Sequence, residues 1–244
     1  MKTLVIIPSR LGATRLPGKP LLKINNMSII SHVFKRAQEA DIGDVVVATE
    51  NMEIVEDVTM NGGTAILTRK NHETGTDRIY EAFKKMNLKN VDLIMNLQGD
   101  EPAINIEDIK SLNKKMIINQ SKIGTLAAQI ENEKNFINEN IVKVKTKLRL
   151  TENNFPEAEA FSRKSEKLDK IYHHIGIYCY TEETLKKFIE LNQTKNETDQ
   201  KLEQYRALDN SININVALAK SAPIGVDTNE DYIALKKIME YKIR

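Results

Sequence analysis

One cysteine, Cys179, is all the thiol chemistry in this chain of 244 residues. An intrachain disulfide is therefore excluded, and no CxxC pair offers a zinc site. Net charge is also nearly missing: Lys plus Arg total 36 against 34 for Asp plus Glu, a formal +2. That balance gives no global field for a nucleic-acid polyanion, so an anionic ligand has to be held by locally placed basic residues. No run approaches the ~20 apolar residues of a membrane span. The N-terminal MKTLVIIPSR has an apolar stretch too short for a signal peptide and closed by Pro and Arg. A cytoplasmic protein with neither nucleic-acid nor membrane partner is the expectation. No internal repeat and no Pro- or Gly-rich linker divides the chain, which argues against a separable second domain. A Walker loop and a GxGxxG turn are both missing, which argues against an ATPase and a dinucleotide-dependent oxidoreductase.

What is present is apolar material, 41% of residues, enough for a substantial core. In the first half it alternates between strand and helix periods. Thr3–Pro8 suits a buried strand, and Ser28 caps a helix in which Ile29, Ile30, Val33, Phe34 and Ala37 share a face. Val45–Ala48 reads as a strand, followed by a helix with Ile54, Val55 and Val58 that Gly62-Gly63 breaks. Thr64–Leu67 is a third strand. A helix with Ile79, Ala82, Phe83 and Met86 leads to a fourth strand, Val91–Leu97. Alternation of this kind predicts an α/β fold, a mostly parallel sheet covered by helices, with ligands beyond the carboxyl ends of the strands. The second half is less regular. Strands are expected at Ile123–Gln129, Ile141–Lys145, Ala158–Ser162 and His174–Tyr180, and helices at Glu182–Leu191, around Thr198–Leu208 and at Asn229–Tyr241.

Directly after the first strand the chain reads Pro8-Ser9-Arg10-Leu11-Gly12-Ala13-Thr14-Arg15-Leu16-Pro17-Gly18-Lys19-Pro20. Gly12 and Gly18 permit tight turns and close approach of backbone N–H groups to an anion. Arg10 and Arg15 offer planar forks for phosphate oxygens, and Lys19 supplies a compact charge. Taken alone, a basic loop is usually a solvated surface; its place at the carboxyl end of the first strand makes it an anion site. Asp100 should project from the end of the fourth strand toward this loop. By residue type it serves equally as a turn cap, and Asp227 before Thr228 reads equally as a helix N-cap.

The stretch Thr14-Arg15-Leu16-Pro17-Gly18-Lys19-Pro20-Leu21 resembles the signature of sugar nucleotidyltransferases, and among them it is most similar to the 3-deoxy-manno-octulosonate (KDO) cytidylyltransferase family. The resemblance continues, in family order, through Gly75-Thr76-Asp77-Arg78, Asn96-Leu97-Gln98-Gly99-Asp100-Glu101-Pro102, Phe161-Ser162-Arg163, His174-Ile175-Gly176-Ile177-Tyr178, Leu202-Glu203-Gln204 and Gly225-Val226-Asp227-Thr228. It spans almost the whole chain. What it implies is a Rossmann-like nucleotidyltransferase core of the GT-A-like type, residues 1–130 and 221–244, with a smaller inserted sugar-binding and dimerisation lobe at 131–220.

The activity implied is magnesium-dependent transfer of CMP from CTP to KDO, for lipopolysaccharide or capsule synthesis, by a homodimer. Asp100 and Asp227 would bind Mg²⁺, and Lys19 would join them in catalysis. Arg10, Gly12, Arg15, Lys19, Gly75, Thr76 and Arg78 would hold the nucleotide. Gln98, Arg163, His174, Tyr178, Glu203 and Gln204 would line the sugar site, with Arg163 and His174 as cations for the sugar carboxylate. Glu101 ranks below Asp100 because alternation points it the other way.

One departure bears on the sugar. After Phe-Ser-Arg the family continues Ile-Pro-aromatic, whereas this chain has Lys164-Ser165-Glu166-Lys167. The strand before it carries the acidic run Glu157-Ala158-Glu159 where apolar residues are usual. Alternative readings are a cytidylyltransferase for a variant ulosonic acid, such as an 8-amino KDO analogue, and a non-catalytic nucleotide-binding regulator.

Overall fold

The computed structural model describes residues 1–12, 15–165 and 169–241. Ala13 and Thr14 of the loop, and Glu166 and Lys167 after Arg163, lie outside the described residues. The chain forms two compact units, one of Lys2–Ile109 with Pro223 onward and one of Lys110–Ala222. The inserted segment thus starts earlier than expected, within a helix rather than after the fifth strand.

In the first unit, β1 (Thr3–Ser9) is buried almost throughout, as a central parallel strand requires. The loop after it closes in a 3-10 turn, Lys19–Leu21, entered through Gly18 at φ 71°, a backbone region that favours glycine. A short hairpin, β2 (Lys23–Ile24) and β3 (Met27–Ser28), leads into α1 (Ile29–Glu39). Ser28 caps α1, its Oγ accepting from Ser31 N at 3.1 Å, and the predicted apolar face is buried. β4 (Gly43–Thr49), α2 (Met52–Met60), β5 (Ala65–Leu67), α3 (Gly75–Met86) and β6 (Leu93–Asn96) follow. β1 pairs in parallel with both β4 and β6, and β5 pairs in parallel with β4. All four carboxyl ends therefore face one way, and the loops after β1 and β6 open at the same end of the sheet.

The chain leaves this unit inside α4 (Ile106–Asn119), a helix the sequence reading passed over. Its pattern was available: Ile109, Leu112 and Met116 are three and four apart and are buried. The second unit holds β7 (Ile123–Ala128), the short α5 (Lys134–Ile137), β8 (Lys143–Thr146), β9 (Ala158–Ser162) and β10 (Ile171–Thr181). β10 runs antiparallel to β7 and β8, and β8 antiparallel to β9. The unexpected acids meet lysines: Glu159 of β9 pairs with Lys145 of β8 at 2.7 Å, and Glu157, just before β9, with Lys147, just after β8.

After α6 (Glu182–Glu190), the single helix expected around Thr198–Leu208 is two, α7 (Lys195–Gln200) and α8 (Tyr205–Asp209). Lys201 at φ 53° ends the first of them. A strand not anticipated, β11 (Ile214–Leu218), lies parallel to β7. The chain then returns to the first unit with α9 (Asn229–Tyr241), as expected. The α/β class with a mostly parallel, mixed strand arrangement is what the sequence predicted.

Candidate active site

The loop after β1 and the turn after β6 line a cavity of about 370 Å³ in the first unit. Ser9, Arg10, Arg15 and Lys19 come from the loop, Gln98, Gly99 and Asp100 from the turn. The opposite wall is the start of α3, from His72 to Gly75 with Arg78, and Asp227 enters from the segment before α9.

At the centre Lys19 Nζ lies 2.7 Å from Asp100 Oδ2 and 3.2 Å from Asp227 Oδ1. Arg15 Nη2 reaches the other oxygen of Asp227 at 3.0 Å. Local structure explains how such distant residues meet. Gly18 N donates to Leu11 O at 3.3 Å and Leu21 N to Gly18 O at 2.9 Å, folding the loop back on itself. Leu16, beside Arg15, packs on a buried cluster of Ile24, Ile29, Val226 and Leu235. Val226 N donates to Asp100 O at 3.0 Å, which joins the two aspartate-bearing turns. Burial of Val226 alone stabilises this junction by roughly 1.5–3 kcal/mol. The cap of α9 is Thr228: its Oγ1 accepts from Asp231 N at 3.2 Å. Asp227 is thereby left to Lys19 and Arg15 rather than to the helix.

Gly99 is required by space. A Cβ there would stand 2.8 Å from Pro8 O and 3.2 Å from Ile30 Cδ1. The neighbouring Glu101 is turned into the protein. Burial, reinforced by the charges of Asp100 and Asp227, pushes its carboxyl pKa up to about 8. Its Oε2 has no hydrogen-bond partner among the described residues.

On the opposite wall a capping box orders the start of α3: Thr74 Oγ1 accepts from Asp77 N, and Asp77 Oδ2 from Thr74 N, both at 3.1 Å. Before it stands His72, which the sequence reading did not single out. Its ring Nε2 is 2.5 Å from Glu81 Oε2. Glu81 also takes Lys85 Nζ at 2.8 Å and Arg69 Nε at 3.1 Å. Burial works against the Glu81 anion, but the bonds from Lys85, Arg69 and His72 outweigh it and hold the carboxyl pKa at about 2.

Three expected nucleotide residues are placed differently from their neighbours. Arg78 lines the cavity, yet its guanidinium is buried, with Nη1 donating to Thr68 Oγ1 at 2.7 Å and Nη2 paired to Glu50 at 2.5 Å. Thr76 is buried within α3 and does not line the cavity. Gly12 is exposed and also outside the lining, with open space where a Cβ would stand.

The remaining sugar-site candidates lie in the second unit, where most of them cluster. His174 and Tyr178 hold their rings 5.4 Å apart although β10 is irregular between Ile175 and Tyr178. Phe161 meets His174 edge-on at 5.1 Å. The Tyr178 hydroxyl is buried without a hydrogen-bond partner among the described residues. Burial raises its pKa, as do the nearby Tyr180 and Glu203. Gln204 stands at the N-cap of α8 with Glu203 before it, so both lie in the break between α7 and α8 rather than inside the single helix expected around Thr198–Leu208. Arg163 Nη1 donates to Glu139 O and Nη2 to Lys201 O, each at 3.2 Å. One expectation is corrected. Burial lowers the His174 pKa to about 3, with His173 adding to the effect, and Thr125 Oγ1 lies 3.0 Å from its Nε2. A ring that is neutral near pH 7 is no cation for a carboxylate.

Comparison with known proteins bears on what this geometry serves. The family model described as cytidylyltransferase matches residues 4–214. The chain belongs to the cytidylyltransferase family. It is 42% identical over 251 residues to the 3-deoxy-manno-octulosonate cytidylyltransferase of Thermodesulfovibrio yellowstonii, covering 98% of both. It is 40% identical over 243 residues to that of Nitrobacter winogradskyi, covering 98% of this chain and 94% of the relative. Among solved structures, CMP:2-keto-3-deoxy-manno-octonic acid synthetase complexed with CTP is 33% identical, with a TM-score of 0.88 over 99% of this chain and 100% of that one. UDP-glucose pyrophosphorylase, at 15% identity and a TM-score of 0.73, shares the fold alone.

A metal requirement can be tested on this cytidylyltransferase's own donors. Among the described residues no three His, Cys, Asp or Glu side chains converge on one point. Mg²⁺ bound with a nucleotide usually takes one or two protein carboxylates and completes its shell with phosphate oxygens and water. Asp100 and Asp227, both beside Lys19 in the same cavity, fit that pattern.

Proposed function

We propose that this cytidylyltransferase transfers CMP from CTP to the anomeric hydroxyl of 3-deoxy-manno-octulosonate, giving CMP-KDO and pyrophosphate, with Mg²⁺ as cofactor. The observation that carries the reading is the meeting of Lys19, Asp100 and Asp227 inside a cavity walled by the Ser9–Pro20 loop. Arg10, Arg15 and Lys19 have the charge and geometry to hold a triphosphate. Asp100 and Asp227 would hold the ion, which when bound offsets the negative charge gathered at the α-phosphate. The anomeric oxygen forms a bond to the α-phosphorus as the bond from that phosphorus to pyrophosphate breaks, and the hydroxyl proton passes to solvent. Positioning and charge stabilisation carry such transfers, so no protein nucleophile enters the scheme. On the sugar side Arg163 would take the carboxylate, and Tyr178, Glu203 and Gln204 the hydroxyls.

CTP as donor supports a cytoplasmic reaction, and the family resemblance supports a homodimer, which sedimentation at twice the chain mass checks. Pyrophosphate release tests the reaction, measured with each nucleoside triphosphate against KDO, its 8-amino analogue and sialic acid. The expected result is release with CTP and KDO. Preference for the amino analogue would move the acceptor to the variant ulosonic acid that Lys164 and Ser165 suggest. CTP binding without release under any pairing would leave a nucleotide-binding regulator.

A further inference from the structure

Lys143 is the only buried lysine among the described residues, 1% exposed in the middle of the second unit. A core position on a strand asks only for an apolar side chain, and burying an ammonium there is costly unless every N–H is matched. Here each is matched. Nζ donates to Asn138 O at 2.7 Å, Ile141 O at 2.8 Å and Arg163 O at 2.7 Å, and an ammonium has three N–H donors. Two of these carbonyls belong to the 138–141 turn and the third to Arg163 itself. The same turn is held again from the Arg163 side, where Nη1 donates to Glu139 O at 3.2 Å. Ser165 N adds a bond to Phe136 O at 3.0 Å, and register places Lys143 opposite Ser162, the residue before Arg163. Backbone and side chain of Arg163 are therefore tied to one short turn, and Lys143 is the knot. Two carbonyls do not exhaust a guanidinium, which has five N–H donors in a fixed fork.

We propose that Lys143 is a positioning residue for the transfer reaction: its ammonium fixes Arg163 so that the guanidinium can receive the carboxylate of the sugar acid. The proposal rests on the reading of Arg163 given under the proposed function. A double-mutant comparison separates the two, using steady-state kinetics of pyrophosphate release for Lys143→Met, Arg163→Ala and the pair.

Lys143→Met keeps the length of the stem and removes the donors. It should raise KM for the sugar acid by about tenfold to a hundredfold, in line with the cost of misplacing a binding group by about an ångström, and leave KM for CTP unchanged. In the Arg163→Ala background the same substitution should add nothing to the sugar-acid KM. Lys143→Gln, which retains donors for part of the cluster, should fall between wild type and Lys143→Met. Equal losses with and without Arg163, a change in KM for CTP, or loss of melting temperature with sugar-acid KM unmoved would each overturn the proposal. Failure of both Lys143 variants to fold would do the same, assigning the residue to the fold alone. If Arg163→Ala by itself left the sugar-acid KM unchanged, the reading of Arg163 would fall first, and the proposal with it.

Discussion

Lys19 sits with two carboxylates within 3.2 Å of its ammonium, and this arrangement makes the three residues unequal under mutation. Asp100→Ala removes one carboxylate and leaves Lys19 paired with Asp227, so the fold should survive while turnover falls by at least about a hundredfold. Appreciable magnesium-dependent pyrophosphate release from a folded Asp100→Ala protein would remove the aspartate from the metal site. Glu81 gives a prediction in pH. Its folded pKa of about 2 lies below the ordinary 4.5. Its stabilising contribution is therefore complete above about pH 4.5 and is lost as pH falls from there toward 2. Glu81→Gln should lower stability at pH 7 and flatten the acid limb of a plot of urea-unfolding free energy against pH. Sequence made Arg10, Arg15 and Lys19 visible because they are close in the chain and follow a strand. It could not show His72 on Glu81, since that contact depends on helix phase, nor the neutrality of His174, since burial is a property of the packed protein.

At the level of elements, the site depends on how closely the ends of β1 and β6 approach. Gly99→Ala would set a methyl group 2.8 Å from Pro8 O, a contact only backbone movement can relieve, and the movement carries Asp100 with it. We expect kcat to fall while circular dichroism stays native; wild-type kinetics in Gly99→Ala would show that the turn has slack. α7 and α8 offer a test of stability. Glu197 and Arg206 form a buried two-pronged pair, with Oε1 2.5 Å from Nη2 and Oε2 2.9 Å from Nε, and Arg206 lies over the Phe188 ring at 4.9 Å. Glu197→Ala removes the carboxylate half of this buried ion pair and should cost about 3–5 kcal/mol in urea unfolding. The strands and helices of the first half were legible because period 2 and period 3.6 alternate there without interruption. α4 and β11 were legible too, through Ile109, Leu112 and Met116 and through the alternation Ile212, Ile214, Val216, Leu218. What concealed the break between α7 and α8 is a left-handed Lys201, a conformation that residue type does not announce.

For the whole molecule, the sequence indicated a core interrupted by an insertion. It did not mark the borders, because the first of them falls within a continuous helix with no change of composition. The resemblance motifs divide between the two units: the Ser9–Pro20 loop, Asp100 and Asp227 belong to one, and Arg163, His174 and Tyr178 to the other. Nucleotide should therefore bind without sugar acid. CTP with Mg²⁺ at about a hundred times its dissociation constant should stabilise the protein by about 2.7 kcal/mol, read as a rise in melting temperature. A sugar acid alone giving the larger rise would reverse the expected order of loading.

The Lys19 bridge also bears on how the protein comes to exist in a cell. Two aspartates that would repel each other are already reconciled by a residue of the same chain, so assembly of the cavity does not wait for an ion. Chelator in the buffer should leave the melting temperature where it was. On the proposed use of magnesium, a newly made chain would mature without the ion and would call on it only when nucleotide arrives.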